Sequence, residues 1–399
     1  MIPLADAQAM ILGAVAPLPA RPHAIRDAVG LVLAEAVIAR EPVPPFANTG
    51  MDGYAVRAAD TDGAPVRLKV VDELAAGRAP TVAVGAGEAV RIMTGAPIPE
   101  GADAIVMVEL TRAEGDFVVI EQAAEAGAHI RPAGGDLTPN QPVFDAGTVL
   151  TPAHVGVLAS LDITEVACHP RARVGVMSTG DELVAGGPLE LGRIRDSNRP
   201  MLLSVVAEAG CEPVDLGIAR DEEHELETRI AAAAGSCDAL LTSGAVSMGD
   251  FDYVKVVLER LAGASFTWSQ VAIKPAKPLA FGVVQGMPVF GLPGNPVSSR
   301  VSFELFARPA LRKMMGRTTP IATPVRATAR TAFSRRPDGK VHLDRVRVTV
   351  ADGSYECERA GFQASNVLSG MAAANGLALI PDGDGVAAGE PVEVLLLGQ

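Results

Sequence analysis

Strand-like and helix-like patterns alternate from residue 171 to residue 316, and this alternation restricts the fold more than any other feature of the chain. Short runs rich in valine and leucine occur at 174–177, 214–218, 238–242, 281–284 and 288–292. Helical patterns or helix-start signals separate most of them, at Asn198, 222–234, 252–261 and Asn295. Such alternation predicts a doubly wound, mostly parallel sheet. Ligands of such sheets bind outside the carboxyl ends of the strands, which is where the polar loops of this chain fall.

The segments on either side of this region have different patterns. Residues 4–39 place apolar side chains at helical spacing, and the prolines at 41–46 then stop any helix. Short β-type runs dominate 51–137 and recur after 316, whereas 141–163 predicts an extended stretch that returns the chain toward its N-terminal part. We therefore expect a helical and extended N-terminal domain with linker (1–45 and 139–170), an inserted small β domain (46–138), an α/β domain (171–316) and a C-terminal β domain (317–399).

The composition argues against several classes of partner and site. The 399 residues include 34 basic and 47 acidic side chains, and the net charge of −13 argues against a general affinity for nucleic acid or anionic membranes. The four cysteines and six histidines are dispersed, so carboxylates are the expected ligands of any metal ion. No apolar run reaches about 18 residues and no signal peptide is recognisable, so we expect a cytoplasmic protein.

Two loops that follow predicted strands are rich in oxygen ligands and small residues. STGDEL at 178–183 supplies two hydroxyls and two carboxylates, and SGAVSMGDFDY at 243–253 supplies small residues that let a phosphate approach the backbone. Asp250 and Asp252 suit a hard cation such as Mg²⁺, which prefers oxygen ligands. The alternative for either carboxylate is a cap on the helix that follows, since aspartate is favoured there.

Basic side chains follow in the next part of the chain. IKPAKP at 273–278 holds Lys274 and Lys277 between prolines, an arrangement that suits an oxyanion or phosphate but also occurs at sheet edges. GLPGNPVS at 291–298 ends a strand and begins a helix, whose N-terminus favours anions. Residues 320–350 contain seven basic residues and two aspartates, which form either an anion-binding surface or a solvated face. Neither GxxxxGK nor GxGxxG after a strand occurs, which disfavours ordinary kinases and dinucleotide dehydrogenases.

The β-type region contains three weaker signals. MDGYA at 51–55 places Asp52 on a loop, where a turn-forming role is the alternative to a catalytic one. RIMTGAPIP at 91–99 places the Thr94 hydroxyl after a strand, and the next amides either cradle an anion or form a plain turn. RPAGGDL at 131–137 pairs Arg131 with Asp136 as either a salt bridge or an anion clamp.

Taken together, these segments resemble one family. MDGYA, RIMTGAPIP, STGDEL, DSN, SGAVSMGDFDY, IKPAKP and GLPGNPVS occur in the order seen in the molybdopterin molybdenumtransferase family, represented by bacterial MoeA and the E domain of gephyrin. The resemblance covers nearly the whole chain. Each motif alone is moderately specific, but seven in this order exceed what chance similarity provides.

The resemblance implies an enzyme of molybdenum cofactor biosynthesis. Such an enzyme takes adenylylated molybdopterin and molybdate as substrates, cleaves the adenylyl phosphoanhydride with Mg²⁺, inserts molybdenum into the dithiolene and releases AMP. The resemblance also implies a homodimer with a shared active site, in which the inserted β domain reaches the α/β domain of the other subunit. Contacts with other proteins of cofactor biosynthesis belong to the same expectation.

The resemblance also implies roles for individual residues. The implied metal ligands are Glu182, Asp221, Asp250 and Asp252. The implied catalytic residues are Asp52, Asp136, Glu182, Asp221, Asp252, Lys274 and Lys277. The implied binding residues are Thr94, Arg131, Ser178, Thr179, Gly180, Asp181, Ser243, Gly244, Ser247, Pro293, Ser298, Arg345 and Ser365. Among these, Pro293, Ser298, Arg345 and Ser365 are the implied contacts of molybdate.

Some positions depart from the common pattern of the family. The departures at Gly50, Ala245 and Ala276 exchange one small residue for another, whereas Gln270 stands where several relatives carry a cation.

Two other functions stay open. One alternative function is a molybdopterin adenylyltransferase, which resembles the α/β segment alone. The other is a non-catalytic scaffold of the gephyrin type. The β domains favour the insertion reaction over the first, and the lack of a further N-terminal domain with a long linker disfavours the second.

Overall fold

The computed structural model describes residues 1–244 and 253–398, which form two compact units. The large unit comprises Met1–His23, Asp27–Ala34 and Val166–Gln399, and the small unit comprises Ala24–Arg26 and Glu35–Glu165. The finer division into four domains stays a prediction. Within the described ranges, no helix has both the length and the apolar character needed to cross a membrane.

A six-stranded sheet forms the centre of the large unit. From edge to edge its strands are Glu212–Ala219, Arg173–Thr179, Ala239–Ser243, Met287–Leu292, Pro278–Val284 and Thr267–Gln270. The first four run parallel, and the last two add antiparallel pairings at one edge. The predicted doubly wound, mostly parallel sheet is confirmed.

Helices cover both faces of this sheet, because neighbouring side chains along each strand point to opposite sides. Val176 belongs to the buried cluster that includes residues of the helix Asn198–Glu208. Met177, the next residue, belongs to the cluster formed with the helices Glu223–Ala234 and Tyr253–Ala262. The polar loops are therefore left at the ends of the strands rather than on the faces.

A long helical segment follows the sheet. It comprises Pro296–Ser302, a π-helical turn at Phe303–Ala307 and Arg308–Met314, and every residue from 297 to 311 is buried. Pro296 occupies the first helical position, where its missing amide hydrogen leaves no bond unmade. The N-terminal helix Leu4–Gly13 packs against this segment.

The C-terminal part of the large unit is a closed ring of strands. Its members are Val325–Ala329, Val341–Ala351, Ser354–Arg359, Gly376–Ile380 and Pro391–Leu396. The ring closes because Val341–Ala351 pairs with both Ser354–Arg359 and Gly376–Ile380. The short strand Ile273–Lys274 also joins it, with Ile273 opposite Val341. This pairing attaches the lysine segment of the α/β region to the C-terminal ring.

The small unit is built on a second six-stranded sheet. In spatial order its strands are Ala104–Met107, Gly53–Val56, Glu88–Ile92, Val66–Leu74, Phe117–Ile120 and Thr111–Glu114. Two shorter pairs accompany it, Asn48–Thr49 with Ile130–Arg131 and Val37–Ile38 with Pro142–Phe144.

The helical interpretation of 4–39 is correct only for Leu4–Gly13. Beyond this helix, short strands occupy Arg21–Ala24, Val32–Leu33 and Val37–Ile38. Pro19 and the prolines near it exclude a continuous helix, since proline lacks the amide donor and its ring clashes with the preceding turn. The apolar spacing of this region reflects burial of strand residues.

The prediction of an extended stretch over 141–163 is wrong in its second half, where the helix Pro152–Ser160 forms. The Thr151 amide donates to Nδ1 of His154 at 3.0 Å, and proline occupies the first helical position. A polar cap followed by proline is a helix-start signal that the β-type composition obscured. The chain then continues toward its N-terminal part, with Cys168 opposite Leu33 in an antiparallel pair.

Candidate functional site

Three of the motif loops begin where neighbouring strands of the central sheet end. Ser178 lies opposite Ser243 in the parallel register, and Ser243 lies opposite Leu292. STGDEL, the loop that begins at Ser243 and the loop around Pro293 therefore start side by side at the carboxyl ends of neighbouring strands. This is the position in which open α/β sheets bind ligands.

Asn198 connects these loops. Its Nδ2 donates to Oγ of Ser243 at 2.8 Å and to the carbonyl oxygen of Gly294 at 2.7 Å. Its Oδ1 is buried and has no hydrogen-bond partner among the described residues, and the same holds for Oγ1 of Thr179. Buried polar atoms are rarely left without a partner, so these two are candidates for contact with a ligand.

Close backbone contact between the loops explains why position 244 requires glycine. A Cβ on Gly244 would lie 2.0 Å from the carbonyl oxygen of Thr179, and the residue has a φ of +129°. Gly294 also approaches, because a Cβ there would lie 3.4 Å from the carbonyl oxygen of Gly244. Gly244 is thus needed for loop packing, whatever it contributes to a phosphate.

A buried charge pair beside Ser178 was not among the predicted site residues. Ser178 Oγ donates to Oδ1 of Asp196 at 3.0 Å, and Nε of Arg199 donates to Oδ2 of Asp196 at 3.0 Å. Arg199 also contacts Asp215. The motif DSN contained the signal, because it places a carboxylate, a hydroxyl and an amide at the start of a helix, followed by Arg199 and Pro200.

The predicted metal ligands are only partly within the described chain. Glu182 folds its carboxylate over the turn at Gly180, since a Cβ on Gly180 would lie 2.6 Å from Oε2 of Glu182. Asp221 follows the neighbouring strand Glu212–Ala219. Asp250, Asp252 and the predicted binding residue Ser247 lie outside the described residues. Among the residues that are described, no three His, Cys, Asp or Glu side chains are grouped so as to hold a metal ion.

A cleft of about 1000 Å³ brings together four other predicted residues of the large unit. They are Lys274, Lys277, Ser298 and Ser365. Part of the predicted basic segment also lines the cleft, namely Arg335, Arg336 and Lys340. The parallel pairing of Lys274 with His342 produces this arrangement, because it places the lysine loop against the C-terminal ring.

Some charges of the cleft are fixed by internal contacts. Arg335 donates through Nη2 to Asp338 at 2.7 Å and to Asp382 at 2.8 Å, and its Nη1 donates to backbone carbonyls. Asp338 also accepts from Lys340 at 2.9 Å and lies 3.2 Å from Nε2 of His342. The hydrogen bond from Lys340, with a further contribution from His342, lowers the pKa of Asp338 to about 2.

Arg359 also lines the cleft and pairs with Asp344, whereas three further cations have no carboxylate partner among the described residues. In the part of the chain that the structure describes, Lys274, Lys277 and Arg336 form no ion pair with an acidic side chain. Lys274 and Arg336 are exposed, and Lys277 is half-buried. Between the two lysines, Ala276 adopts a φ of +67° and is buried, so the loop makes a tight turn that directs both lysines to the cleft lining.

Arg345 is buried behind the segment that carries Ser365, and its contact with molybdate stays a prediction. It is 1% exposed, and its guanidinium donates to the carbonyl oxygens of Ala364 at 3.0 Å and Val367 at 3.5 Å, and also to Phe362. It does not line the cleft. The geometry therefore favours a positioning role, in which Arg345 holds the segment that carries Ser365.

In the small unit, Asp52 and Thr94 meet. Both the amide and the hydroxyl of Thr94 donate to Oδ1 of Asp52, at 2.7 and 2.6 Å. The Thr94 hydroxyl is the main cause of a lowered pKa for Asp52, which keeps the carboxylate ionised. The idea that the amides after Thr94 cradle an anion is not supported, because the amides of Gly95 and Ala96 donate to backbone carbonyls.

Arg131 and Asp136 do not form the salt bridge that the sequence left open; no ion pair joins them in the described part of the small unit. Instead, Arg131 packs beside Gly50, where an added Cβ would lie 3.3 Å from Nε of Arg131. The amide of Asp136 donates to the carbonyl oxygen of Val43 at 2.9 Å. A role for either residue in anion binding stays a prediction.

Comparison with known families matches three successive segments. Residues 2–161 match the MoeA N-terminal region (domain I and II), 175–313 match the probable molybdopterin binding domain, and 326–397 match the MoeA C-terminal region (domain IV).

Relatives align over nearly the full chain. Molybdopterin molybdenumtransferase 2 of Mycobacterium tuberculosis is 41% identical over 380 residues, covering 93% of each chain. Molybdopterin molybdenumtransferase of Haemophilus influenzae is 37% identical and covers 93% of this chain and 92% of its own. The crystal structure of the molybdopterin biosynthesis moeA protein of Pyrococcus horikoshii OT3 covers 99% of this chain and 100% of its own, with a TM-score of 0.83 and 28% identity. The chain therefore belongs to the molybdopterin molybdenumtransferase family.

Proposed function

We propose that this protein inserts molybdenum from molybdate into adenylylated molybdopterin, with Mg²⁺-dependent release of AMP. Relatives that align over more than nine-tenths of the chain carry the name of this transferase, which supports the general reaction. The proposal of Mg²⁺-dependent AMP release rests on the cleft and the strand-end loops described above. We also propose that the protein acts in the cytoplasm, as a homodimer, alongside other proteins of cofactor biosynthesis.

The observation that carries the proposal is the cleft with Lys274, Lys277 and Arg336. These three cations line one concave surface and have no acidic partner within the described residues. Basic side chains outnumber the two aspartates of the lining, Asp338 and Asp344, and such an excess of positive charge concentrates anionic ligands. Fixed cations also stabilise anions without reorganisation. Molybdate and the phosphates of adenylylated molybdopterin are both anionic. Ser298 and Ser365 add hydroxyls to the same lining.

The strand-end loops supply the second part of the proposal. Asn198 holds the loops of Ser243 and Gly294 together. Its Oδ1 and the Oγ1 of Thr179 have no partner in the described part of the chain, so they offer a buried acceptor and a hydroxyl to the substrate. Asp196 and Arg199 act through Ser178 and are positioning residues. The roles of Asp181, Pro293, Asp136 and Arg131 stay predictions.

The donor chemistry fits Mg²⁺. Glu182 and Asp221 provide carboxylate oxygens near the ends of neighbouring strands, and carboxylates are the side chains with which proteins bind Mg²⁺ beside substrate phosphates. These two residues, together with Asp250 and Asp252, would hold the ion. A bound Mg²⁺ supplies positive charge to the phosphoanhydride. The contribution of the chain itself is to hold these carboxylates close to the phosphates.

The reaction is tested by incubating the purified protein with adenylylated molybdopterin, Mg²⁺ and molybdate. AMP release and formation of molybdenum cofactor are both expected, and neither is expected when molybdate or Mg²⁺ is left out. Adenylylation of molybdopterin from ATP would support the adenylyltransferase alternative instead. Folded protein that performs neither reaction would leave the scaffold alternative.

A further inference from the structure

A second cavity of the large unit, about 210 Å³ in volume, shares no lining residue with the cleft. Four arginines line it, Arg171, Arg308, Arg312 and Arg317, together with His169. Among the described residues, Glu208 is the one carboxylate of the lining. We refer to these residues as the arginine cavity. Three of its arginines come from the C-terminal part of the long helical segment and the turn after it.

The one carboxylate of the lining is already paired. Nη2 of Arg308 donates to Oε1 of Glu208 at 2.7 Å, and Arg300 lies 3.7 Å from the same oxygen. Glu304, behind the lining, pairs with both of these arginines. Two buried arginines thus share two glutamates, so the carboxylate of Glu208 is already engaged by Arg300 and Arg308.

Two other arginines of the cavity have no acidic partner. In the described part of the chain, neither Arg171 nor Arg317 forms an ion pair. Arg171 is held by backbone carbonyls, because Nη1 donates to Gly210 at 3.0 Å and Nη2 donates to Val29 at 3.2 Å. A guanidinium has five N–H donors, so Arg171 keeps donors for a further acceptor while its position is fixed.

The positive charges of the cavity also oppose one another. Burial lowers the pKa of Arg312, and the charges of Arg308 and Arg317 lower it further. Arg317 is exposed on one side, and burial of the remainder likewise lowers its pKa. An anion placed among these groups would offset both effects, because it attracts each guanidinium and replaces lost hydration with charge-assisted hydrogen bonds.

We propose that the arginine cavity binds a small tetrahedral dianion of the phosphate or molybdate type. Guanidinium groups match such oxyanions geometrically. A volume of about 210 Å³ is below the roughly 300 Å³ at which pockets for larger organic ligands begin, so a free oxyanion fits this cavity better than a pterin or a nucleotide. The proposal concerns a site separate from the cleft and does not depend on the transferase reaction.

Equilibrium dialysis at low ionic strength tests the proposal, with phosphate, molybdate and AMP as separate probes. Arg317→Gln is the main variant, since Arg317 is exposed enough for its replacement to leave the fold intact. Arg171→Lys is a second variant that keeps the charge and removes the planar donor set. Arg347→Gln is the matched control, because Arg347 is exposed on the C-terminal ring and lines neither cavity.

We expect phosphate or molybdate to bind the wild-type protein and Arg347→Gln equally. Arg317→Gln and Arg171→Lys should each weaken this binding by about tenfold, the scale of one charge-assisted hydrogen bond. Arg336→Gln, in the cleft, should weaken only oxyanion binding at the cleft and leave the portion that the two cavity variants weaken, so failure of the cavity and failure of the cleft are distinguishable. Unchanged oxyanion binding in both cavity variants would overturn the proposal, as would AMP competing as strongly as phosphate.

Discussion

Arg335 and Arg336 are neighbours in the chain and line the same cleft, but their surroundings differ. The side chain of Arg335 is 3% exposed and bonds two carboxylates and three backbone carbonyls. Arg336 is exposed and has no ion pair among the described residues. Arg335 therefore maintains the wall of the cleft, and Arg336 is available to an anion in it.

Replacing Arg336 with glutamine should weaken the interaction with molybdate. We expect Arg336→Gln to raise the KM for molybdate about tenfold, because one charge-assisted contact is lost. Arg347→Gln, on the same ring of strands but outside the cleft, is the control and should behave as the wild type. An unchanged KM for molybdate in Arg336→Gln would contradict the role of this residue.

The network at Asp338 should produce a pH dependence of stability. The pKa of Asp338 is lowered from 3.8 to about 2, mainly by the hydrogen bond from Lys340. A depressed carboxyl pKa contributes stability that is present above 3.8 and is lost as the pH falls toward 2. Thermal unfolding measured over this range should show a smaller fall in Tm for Asp338→Asn than for the wild type. Parallel curves for the two proteins would contradict this assignment.

At the scale of elements, the strand-end loops depend on backbone contact. Gly244 lies against the carbonyl of Thr179, and only a residue without Cβ can occupy that position. The loop at Gly187 offers a comparison, since Gly187 also has a positive φ, +88°, and a Cβ there would meet nothing within 4 Å.

Gly244→Ala should therefore be much more disruptive than Gly187→Ala. Both substitutions carry the cost of a left-handed alanine, about 1 kcal/mol. Gly244→Ala must in addition move the loop away from Thr179, so we expect a larger loss of unfolding free energy and loss of turnover. Urea unfolding and the AMP-release assay check both effects. Equal stability and activity in the two variants would show that the loop contact is dispensable.

The long helical segment contains a buried charge network. Glu304 has a side chain 4% exposed and pairs with Arg300 and Arg308, four residues away on either side. Glu304→Gln leaves two buried guanidinium groups with less negative charge. We expect it to lower the free energy of unfolding by about 3 kcal/mol.

A matched control for this change is Glu225→Gln. Glu225 pairs with Arg229 at 2.9 Å, also four residues apart, but the pair is more exposed. Its loss should cost less than about 1 kcal/mol. The comparison uses denaturant unfolding, and similar losses in the two variants would show that burial does not strengthen the Glu304 network.

At the scale of the whole molecule, the proposed homodimer makes a direct prediction. Sedimentation velocity should give a mass near twice the 41.1 kDa of the chain at micromolar concentration. A single species at the mass of one chain would contradict the dimer and, with it, the expectation of a shared active site. This measurement does not depend on the assignment of any site residue.

Much of the fold followed from local patterns. Alternating apolar runs and polar loops specified the parallel sheet, because side-chain periodicity and helix-start residues act over a few positions. Because these patterns act over only a few positions, they also produced the wrong predictions at 4–39 and 141–163. Apolar spacing there fitted more than one element, and the capped helix at Pro152–Ser160 was hidden among valines that favour strands.

The sequence by itself determined the family and the loops that border the site, since seven motifs in order are a property of the chain alone. Only the tertiary structure decided which of their side chains meet. Lys274 reaches the basic segment because Ile273 pairs with Val341, and Arg345 is withdrawn from the cleft because its guanidinium satisfies buried carbonyls. Such contacts depend on which surfaces bury each other across long separations in sequence, and no local pattern encodes that choice.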